Sequence, residues 1–339
     1  MTDTLLSFKD VEIVYKVGNM SIRATTGASF DVPRGAIVGL VGESGCGKTT
    51  LARAVTRVIA DNAHIAHGQI LFDGIDLVSL SDRDMNALRW RDIAFIPQSA
   101  MNSLDPVYTV EYQLHEVLRG RGGLSRIDAR KRSKELFELV GIETNRLSDF
   151  PHQFSGGMRQ RVAIALALAL NPKLIIADEP VTALDVIVQR QILDQLRDLQ
   201  QKLGISVILV THDISVVAYI CDRTVVMYAG QVMESSDTRA VLNEPYHPYT
   251  MGLKNAFPDI KSAGTGLLTP IEGSPPDLAN PPPGCRFAPR CPFAEAICRA
   301  ENPQPREIQP QHIVACHRSQ EALQLRTEAS KYETWQQIP

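Results

Sequence analysis

The chain has 339 residues, of which 44% are hydrophobic and 22% are charged. These fractions are close to those of ordinary globular proteins and argue against a disordered, collagen-like or membrane-embedded chain. The 35 lysines and arginines against 38 aspartates and glutamates give a net charge of −3. Because no long block of like charge occurs, nothing indicates a general binder of nucleic acids or anionic lipids.

The first ten residues contain early acidic residues and lack the basic and apolar regions of a secretory signal, so we expect a cytoplasmic protein. The longest apolar stretch, 162–170, is well short of the ~20 residues that cross a bilayer. Any role at a membrane is therefore expected to involve partner chains.

The first half of the chain predicts a small sheet, a strand–loop–helix unit and a helical lobe. Residues 1–35 alternate apolar and polar, which favours antiparallel strands. The apolar run 36–41 leads into glycine-rich sequence and then into a stretch from Thr49 that lacks Pro and Gly, which predicts a strand, a loop and a helix. Residues 81–154 are mostly helical in pattern and are interpreted as an inserted lobe.

The middle of the chain alternates helices and strands. Residues 174–177 and 206–211 are typical of buried strands, and the segments 158–170 and 186–203 that precede them have helical character. Such alternation favours an α/β fold with a mainly parallel sheet covered by helices on both faces. After residue 270 the composition changes, because eight prolines fall between 270 and 292, and this predicts an extended, non-helical appendage.

Residues 42–49, Gly-Glu-Ser-Gly-Cys-Gly-Lys-Thr, fit the pattern G-x-x-x-x-G-K-[ST] between a predicted strand and a predicted helix. Glycines let successive backbone N–H groups face inward, and the start of a helix adds a positive end, so such a loop cradles phosphates. We expect Lys48 to neutralise the β- and γ-phosphates and the Thr49 hydroxyl to bind Mg²⁺. Cys46 occupies a free position and is interpreted as a small residue without a redox role.

Two adjacent carboxylates follow the apolar run 174–177. Asp178 is expected to hold Mg²⁺, and Glu179 to polarise the water that attacks the γ-phosphate, because ligands of open α/β sheets bind at the carboxyl ends of strands. His212 ends the run 206–211 and is a candidate for the same phosphate, although a histidine at a strand end is as often structural.

Six cysteines are unevenly distributed, since two are far apart and four crowd the last sixth of the chain. The four are Cys285, Cys291, Cys298 and Cys316. In a reducing compartment this cluster indicates a metal before disulfides, and four thiolates suffice for Zn²⁺ or a [4Fe–4S] cluster. Four buried free cysteines remain the alternative.

These motifs together resemble the nucleotide-binding subunits of ATP-binding cassette (ABC) transporters over residues 5–255. The stretch 154–161, Phe-Ser-Gly-Gly-Met-Arg-Gln-Arg, is similar to the family signature, usually Leu-Ser-Gly-Gly-Gln, and departs from it at the first and fifth positions. Gln98 matches the family's glutamine loop, 183–185 (Ala-Leu-Asp) match the loop that passes between protomers, and His212 matches the switch histidine.

The resemblance implies a P-loop NTPase (RecA-like) core with a mainly parallel sheet, an N-terminal antiparallel β subdomain, a helical subdomain at about 90–165 and an irregular Cys/Pro-rich C-terminal extension. It implies a nucleotide-binding domain over residues 1–255 and the extension over 256–339. In this family two chains sandwich two ATP molecules, so the isolated monomer is expected to hydrolyse ATP slowly.

The residue roles that the resemblance implies fall into three groups. The catalytic group is Glu179, His212, Lys48 and Gln98. The nucleotide-contacting group is Tyr15, which stacks on adenine, and Gly42, Ser44, Gly45, Cys46, Gly47, Lys48, Thr49, Thr50, Gln98, Ser155, Gly156, Gly157, Asp178 and Asp185. The Mg²⁺ group is Thr49, Gln98 and Asp178.

Three stretches look like bacterial oligopeptide/dipeptide importers: 98–107, the signature 154–161, and 245–250 (Pro-Tyr-His-Pro-Tyr-Thr). The Met158 form resembles the D-type ATPase subunit. This branch implies a distinct F-type ATPase partner, two membrane permeases, an extracytoplasmic substrate-binding protein, no nucleic acid, and a position at the cytoplasmic face of the inner membrane. The resembled subunits carry an iron–sulfur cluster at such a cysteine motif, which favours a [4Fe–4S] cluster over zinc here.

Other functions stay open from the sequence. The same ATPase fits import of nickel chelates or oligosaccharides. A non-transport ABC ATPase is disfavoured because no long coiled coil separates Lys48 from Asp178. A redox-sensing binding module with a degenerate ATPase is disfavoured because every catalytic position is filled.

Overall fold

The computed structural model describes residues 3–98, 100, 103–256 and 270–336. The described residues form two compact units, each built from several stretches of the chain. Of the described residues, unit 1 contains those within 3–5, 32–37 and 79–210, and unit 2 contains those within 6–31, 38–78 and 211–336. The predicted boundary between residues 255 and 256 stays a prediction, and residues 257–269 beside it lie outside the described part, as do Ser99, Met101 and Asn102 of the stretch 98–107.

The strands are β1 (Thr4–Val17), β2 (Met20–Pro33), β3 (Ile37–Val41), β4 (Ala63–Phe72), β5 (Ile75–Asp76), β6 (Ile93–Ile96), β7 (Leu174–Asp178), β8 (Ser206–Thr211), β9 (Arg223–Tyr228), β10 (Gln231–Asp237), β11 (Arg306–Gln309) and β12 (His312–Val314). The helices are α1 (Lys48–Thr56), α2 (Asp82–Leu88), α3 (Val110–His115), α4 (Arg126–Leu139), α5 (Gly156–Ala167), α6 (Val186–Leu203), α7 (Ile214–Ile220), α8 (Thr238–Asn243), α9 (Pro248–Asn255), α10 (Ala296–Ala300), α11 (Ala322–Ala329) and α12 (Tyr332–Gln336). A π-helix, Glu116–Arg121, continues α3.

Unit 2 contains the predicted antiparallel sheet. Its strand order is β2-β1-β4-β5, and β1 pairs antiparallel with β4, with Leu6 opposite Phe72. The alternation in β1 is only approximate, since Leu5 and its neighbour Leu6 are both buried, and Phe8 stacks on Phe30 with ring centroids 4.4 Å apart. The sheet also contains β4 and β5, which lie outside the residues 1–35 that the sequence predicts to form it.

A second set of strands in unit 2 has the order β11-β12-β10-β9-β3. Strand β3 pairs parallel with β9, and the β9–β10 hairpin and both β12 pairings are antiparallel. All five residues of β3 are buried, as expected for a strand covered on both faces.

In unit 1, β8, β7 and β6 form parallel pairs in that order. Strands β7 and β8 are buried along their whole length. Helix α6 begins after the capping residue Asp185 and ends before Gly204, which matches the predicted helix 186–203, and α5 lies against β6 and α6. The α/β class and its mainly parallel core are therefore confirmed.

The C-terminal part is only partly irregular. Among the described residues 270–292, the regular structure is a single 3-10 turn, Ala288–Arg290, which agrees with the predicted extended appendage. Beyond it the chain forms α10 to α12 and the β11–β12 hairpin, which the proline-based prediction does not include. Trp335 is fully buried, and its Nε1 donates to the carbonyl of Ala329 at 2.8 Å. Within the part of the chain that the structure describes, no helix is both long and apolar enough to span a bilayer.

Candidate functional site

The glycine-rich loop of unit 2 connects β3 to α1, in the strand–loop–helix arrangement that the sequence predicts. Gly47 caps α1 with a φ of 96°, and a Cβ there would lie 2.4 Å from the carbonyl oxygen of Ala24. A Cβ on Gly42 would lie 2.0 Å from the carbonyl oxygen of Met227. Both positions therefore require glycine, so the loop conformation is built into the sequence.

Lys48 is 6% exposed and folds back over this loop. Its Nζ donates to the carbonyl oxygens of Gly42 at 2.7 Å and Glu43 at 2.8 Å. The ammonium is thus fixed beside the backbone N–H groups that start α1, which concentrates positive potential for a phosphate. Cys46 is 2% exposed, and burial raises the pKa of its thiol, which agrees with a packing role without redox chemistry.

Unit 2 also places Tyr15, the residue expected to stack on adenine, beside the start of α1. Its hydroxyl lies 3.2 Å from Oγ1 of Thr50, in the first turn of α1. The ring is half-buried, so one part of it packs while the rest stays accessible to a planar ligand. His212 is exposed and follows directly after β8.

Unit 1 brings Gln98 and Glu179 together. Nε2 of Gln98 donates to Oε2 of Glu179 at 2.9 Å, and the Thr182 hydroxyl donates to the same oxygen at 3.1 Å. Glu179 has a φ of 48°, and its N–H donates to the carbonyl of Val210 at 2.9 Å. A non-glycine residue in this region of φ is uncommon and costs about 1–3 kcal/mol, which is typical of functional positions. Thr182 is not among the site residues that the sequence predicts.

Asp178 is the last residue of β7 and is fully buried. A buried carboxylate is retained only where other groups or a cation compensate its charge, which fits the role of a Mg²⁺ ligand. The adjacent Glu179 is held by an amide and a hydroxyl. The two acids therefore have different surroundings, as expected if Asp178 binds Mg²⁺ and Glu179 polarises the attacking water.

Two predicted residues act as helix caps in unit 1. The Ser155 hydroxyl accepts from the N–H of Met158 at 3.3 Å and starts α5 with Gly156 and Gly157. The Asp185 carboxylate accepts from the N–H groups of Ile187 at 3.1 Å and Val188 at 3.0 Å. The Ser155 cap leaves backbone N–H groups at a helix start, which is the arrangement that binds anions.

The four clustered cysteines of unit 2 line one cavity, together with Phe287, Phe293 and His247. Burial raises the thiol pKa of Cys285 and Cys291 and raises that of Cys316 to about 12. Burial also lowers the pKa of His247 to about 3, so its imidazole is neutral. By its chemistry, a set of four sulfurs in an apolar cavity fits a thiolate-bound group. By their positions, however, no three His, Cys, Asp or Glu side chains within the described ranges are arranged to hold a metal ion.

Comparison with known protein families gives two matches. The family described as ABC transporter matches residues 25–182, and the family described as oligopeptide/dipeptide transporter, C-terminal region, matches residues 233–298. The second match includes α9 and three of the four clustered cysteines.

Curated relatives match nearly the whole chain. The oligopeptide transport ATP-binding protein OppD of Bacillus subtilis is 45% identical over 91% of this chain and 87% of its own length. The dipeptide transport ATP-binding protein DppD of the same organism is 42% identical over 93% of this chain and 94% of its own. Among solved structures, an ATP-binding cassette in a dimeric post-hydrolysis state with ADP and phosphate is 31% identical, with a TM-score of 0.62, and covers 69% of this chain and 99% of its own.

Proposed function

This chain belongs to the ATP-binding subunits of ABC transporters, and from that membership we propose that it hydrolyses ATP to drive the import of oligopeptides or dipeptides. The observation that carries the proposal is the presence in one chain of a complete phosphate loop with a buried lysine and of the C-terminal region that peptide transporters share. The relatives named for oligopeptide and dipeptide transport match this combination over more than nine-tenths of the chain.

We assign nucleotide binding to the phosphate loop. The backbone N–H groups of the loop, apart from that of Glu43, which donates to Tyr249, would cradle the phosphates, and Lys48, held by the carbonyls of Gly42 and Glu43, would neutralise their charge. The Thr49 hydroxyl and the Asp178 carboxylate would hold the Mg²⁺ that accompanies ATP, with Gln98 beside it. Tyr15 would stack on the adenine.

Hydrolysis needs a group that accepts the proton of the attacking water, and we assign that role to Glu179. Gln98 and Thr182 both donate to one oxygen of its carboxylate and so fix the position of the side chain. His212 would contact the γ-phosphate. Ser155, Gly156 and Gly157 would close over the nucleotide of a second chain, and Asp185 would shape the loop between the chains.

We propose that the chain works in an assembly. By analogy with its branch of the family, the partners are a second ATPase subunit of the F type, two membrane permeases and an external substrate-binding protein. The chain would then lie at the cytoplasmic face of the inner membrane, held there by the permeases. No nucleic acid is involved.

The experiment is cargo uptake by the complete complex reconstituted into lipid vesicles. With ATP on the side of the ATPase subunits, we expect labelled peptides to accumulate and nickel chelates and oligosaccharides to remain outside. Accumulation of a nickel chelate or an oligosaccharide without peptide would contradict the assigned cargo and leave the ATPase assignment intact.

We further propose that the four-cysteine cavity holds a [4Fe–4S] cluster, with zinc as the alternative. The support is the donor set, since Cys285, Cys291, Cys298 and Cys316 supply four sulfurs to one largely apolar cavity. Backbone N–H groups near three of these sulfurs partly offset the effect of burial on the thiol pKa and so favour the thiolate, the form that binds metal. When bound, such a cluster would supply a rigid crosslink among the four chain segments and a redox-active centre.

Metal and sulfide analysis of the chain purified without oxygen tests the cluster. We expect about four iron atoms and four acid-labile sulfides per chain, because that is the composition of the cluster. Cys291→Ser should lose the iron, whereas Cys221→Ser, which changes a buried cysteine outside the cavity, should keep it. About one zinc per chain without sulfide would contradict the cluster.

A further inference from the structure

We propose that Arg290 of the C-terminal region is a positioning residue for the phosphate loop, and that its ion pair with Glu43 sets the affinity for ATP. The inference rests on the proposed ATP-hydrolysing function and adds a residue that neither the phosphate-loop motif nor the family signature contains. Arg290 and Glu43 are separated by 247 positions in the sequence, and both belong to unit 2.

The ion pair is largely enclosed, and one guanidinium nitrogen contacts both oxygens of the carboxylate. Nη1 of Arg290 lies 3.0 Å from Oε1 and 2.8 Å from Oε2 of Glu43. The side chains are 8% and 24% exposed, respectively, so water screens the pair far less than it screens a surface ion pair. Charge-assisted hydrogen bonds stabilise such a pair and also fix the relative positions of its two side chains.

The remaining donors of Arg290 anchor it to the C-terminal region. Its Nε donates to the carbonyl of Glu272 at 2.8 Å, and Nη2 donates to the carbonyl of Ile271 at 3.0 Å. Arginine stays protonated in proteins, so Arg290 keeps its charge at this buried position. The arginine is therefore a fixed cation presented to the loop.

A tyrosine holds the backbone of the same loop residue. The N–H of Glu43 donates to the hydroxyl of Tyr249 at 3.0 Å. Tyr249 lies in α9, within the stretch 245–250 that the phosphate-loop chemistry leaves unexplained, and it is fully buried. The Tyr228 hydroxyl accepts from Nη1 of Arg290 at 3.1 Å, and the rings of Tyr228 and Tyr249 lie 4.6 Å apart. Glu43 is thus held at its side chain by Arg290 and at its backbone by Tyr249.

The held residue contacts the phosphate-binding lysine. The carbonyl of Glu43 accepts from Nζ of Lys48 at 2.8 Å. A shift of Glu43 would therefore move both the loop backbone and the acceptor that orients the ammonium of Lys48. Since the loop binds phosphate through fixed N–H groups, a looser loop would lose affinity through poorer preorganisation.

A second arginine of the same segment supports the inference. Arg286 donates to the Thr26 hydroxyl at 3.0 Å and to the carbonyl of Ala229. The next residue, Gly230, donates its N–H to the carbonyl of Cys46 in the phosphate loop at 3.0 Å. The segment 285–291 therefore reaches the loop by two routes, one through Glu43 and one through the β9–β10 turn.

The test measures ATP affinity of the full chain with a fluorescent ATP analogue, alongside thermal unfolding without nucleotide. We expect Arg290→Met to weaken binding roughly tenfold, the scale of one lost charge-assisted hydrogen bond. In the assembled complex, KM should rise by a similar factor while kcat at saturating ATP changes less than about twofold. Arg290→Lys should recover part of the affinity because it keeps the charge.

A double-mutant cycle and a matched control separate positioning from general stability. Glu43→Gln combined with Arg290→Met should be no weaker than the worse single variant, because both changes break one contact. Arg223→Met removes another arginine of unit 2, one that pairs with Asp237 and Gln311, and should leave affinity unchanged.

Wild-type affinity in Arg290→Met, additive losses in the double variant, or an equal loss in Arg223→Met would overturn the inference. Failure of the wild-type chain itself to bind the analogue would instead overturn the proposed ATPase function, so the two failures are distinguishable.

Discussion

Replacing Lys48 by alanine is expected to lower ATP hydrolysis by the assembled complex about 100- to 1,000-fold, the effect of removing one preorganised charge-stabilising donor. The physical reason is that Lys48 is the buried cation of the phosphate loop, fixed by two carbonyls of that loop. In the proposed site, its loss would leave the negative charge that develops on the γ-phosphate with one compensating group fewer. Steady-state phosphate release by the purified complex measures the effect.

Lys202→Ala is the matched control, since Lys202 is an exposed lysine at the end of α6. It should hydrolyse ATP at the wild-type rate. Thermal unfolding of the Lys48 variant should show a loss of about 1–3 kcal/mol because two carbonyls lose their donor, so turnover is compared at a temperature where both proteins are folded. Turnover in Lys48→Ala equal to that of wild type would remove the basis for the assigned phosphate loop.

Glu179→Gln is expected to reduce turnover by about 100- to 10,000-fold, the range for loss of a general base. The amide nearly preserves the size of the side chain and keeps an oxygen that can accept from Gln98 and Thr182, so the geometry should survive while proton acceptance is lost. ATP should still bind. Because hydrolysis normally ends the closed state of a paired family member, the variant should accumulate as an ATP-bound dimer.

Single-turnover hydrolysis and size-exclusion chromatography with ATP measure these two effects. Glu138→Gln, at an exposed position of α4, is the control and should neither slow turnover nor stabilise a dimer. Undiminished steady-state turnover in Glu179→Gln would refute its role as the base.

Much of the fold could be predicted because local signals and tertiary packing agree in the core. The run 206–211 is wholly apolar apart from its ends and forms β8 with those bounds. Asp185 and Gly204 mark the ends of α6 in the sequence, and the helix uses Asp185 as its cap. In both β8 and α6, the residue pattern that favours the local structure also supplies the apolar side chains that become buried.

The C-terminal elements were harder to predict, because their stability comes from contacts distant in sequence. The hairpin β11–β12 has short strands without a strong apolar run, and β12 pairs with β10, about 80 positions earlier. Trp335 is buried at the end of a five-residue helix that would not persist alone. Proline content correctly predicts the extended stretch 270–292 but gives no information about the residues that follow it.

The candidate site likewise has parts that local sequence patterns predict and parts that depend on the folded structure. The phosphate loop and the acidic pair are readable because each is a contiguous motif next to a strand. The hydroxyl of Thr182 on Glu179 depends on a turn with positive φ at Glu179, which the sequence alone does not reveal. The Arg290–Glu43 pair joins two residues whose sequence neighbourhoods give no sign of contact, so only the folded structure could show it.

The most direct measurement is ATP-driven peptide uptake by vesicles that contain the complete complex, compared in parallel with vesicles carrying Lys48→Ala. Wild-type vesicles should accumulate peptide while they release phosphate, and the Lys48→Ala vesicles should do neither. Peptide accumulation that proceeds equally in both vesicle populations, or phosphate release without any peptide uptake, would contradict the role of this chain as the ATPase of a peptide importer.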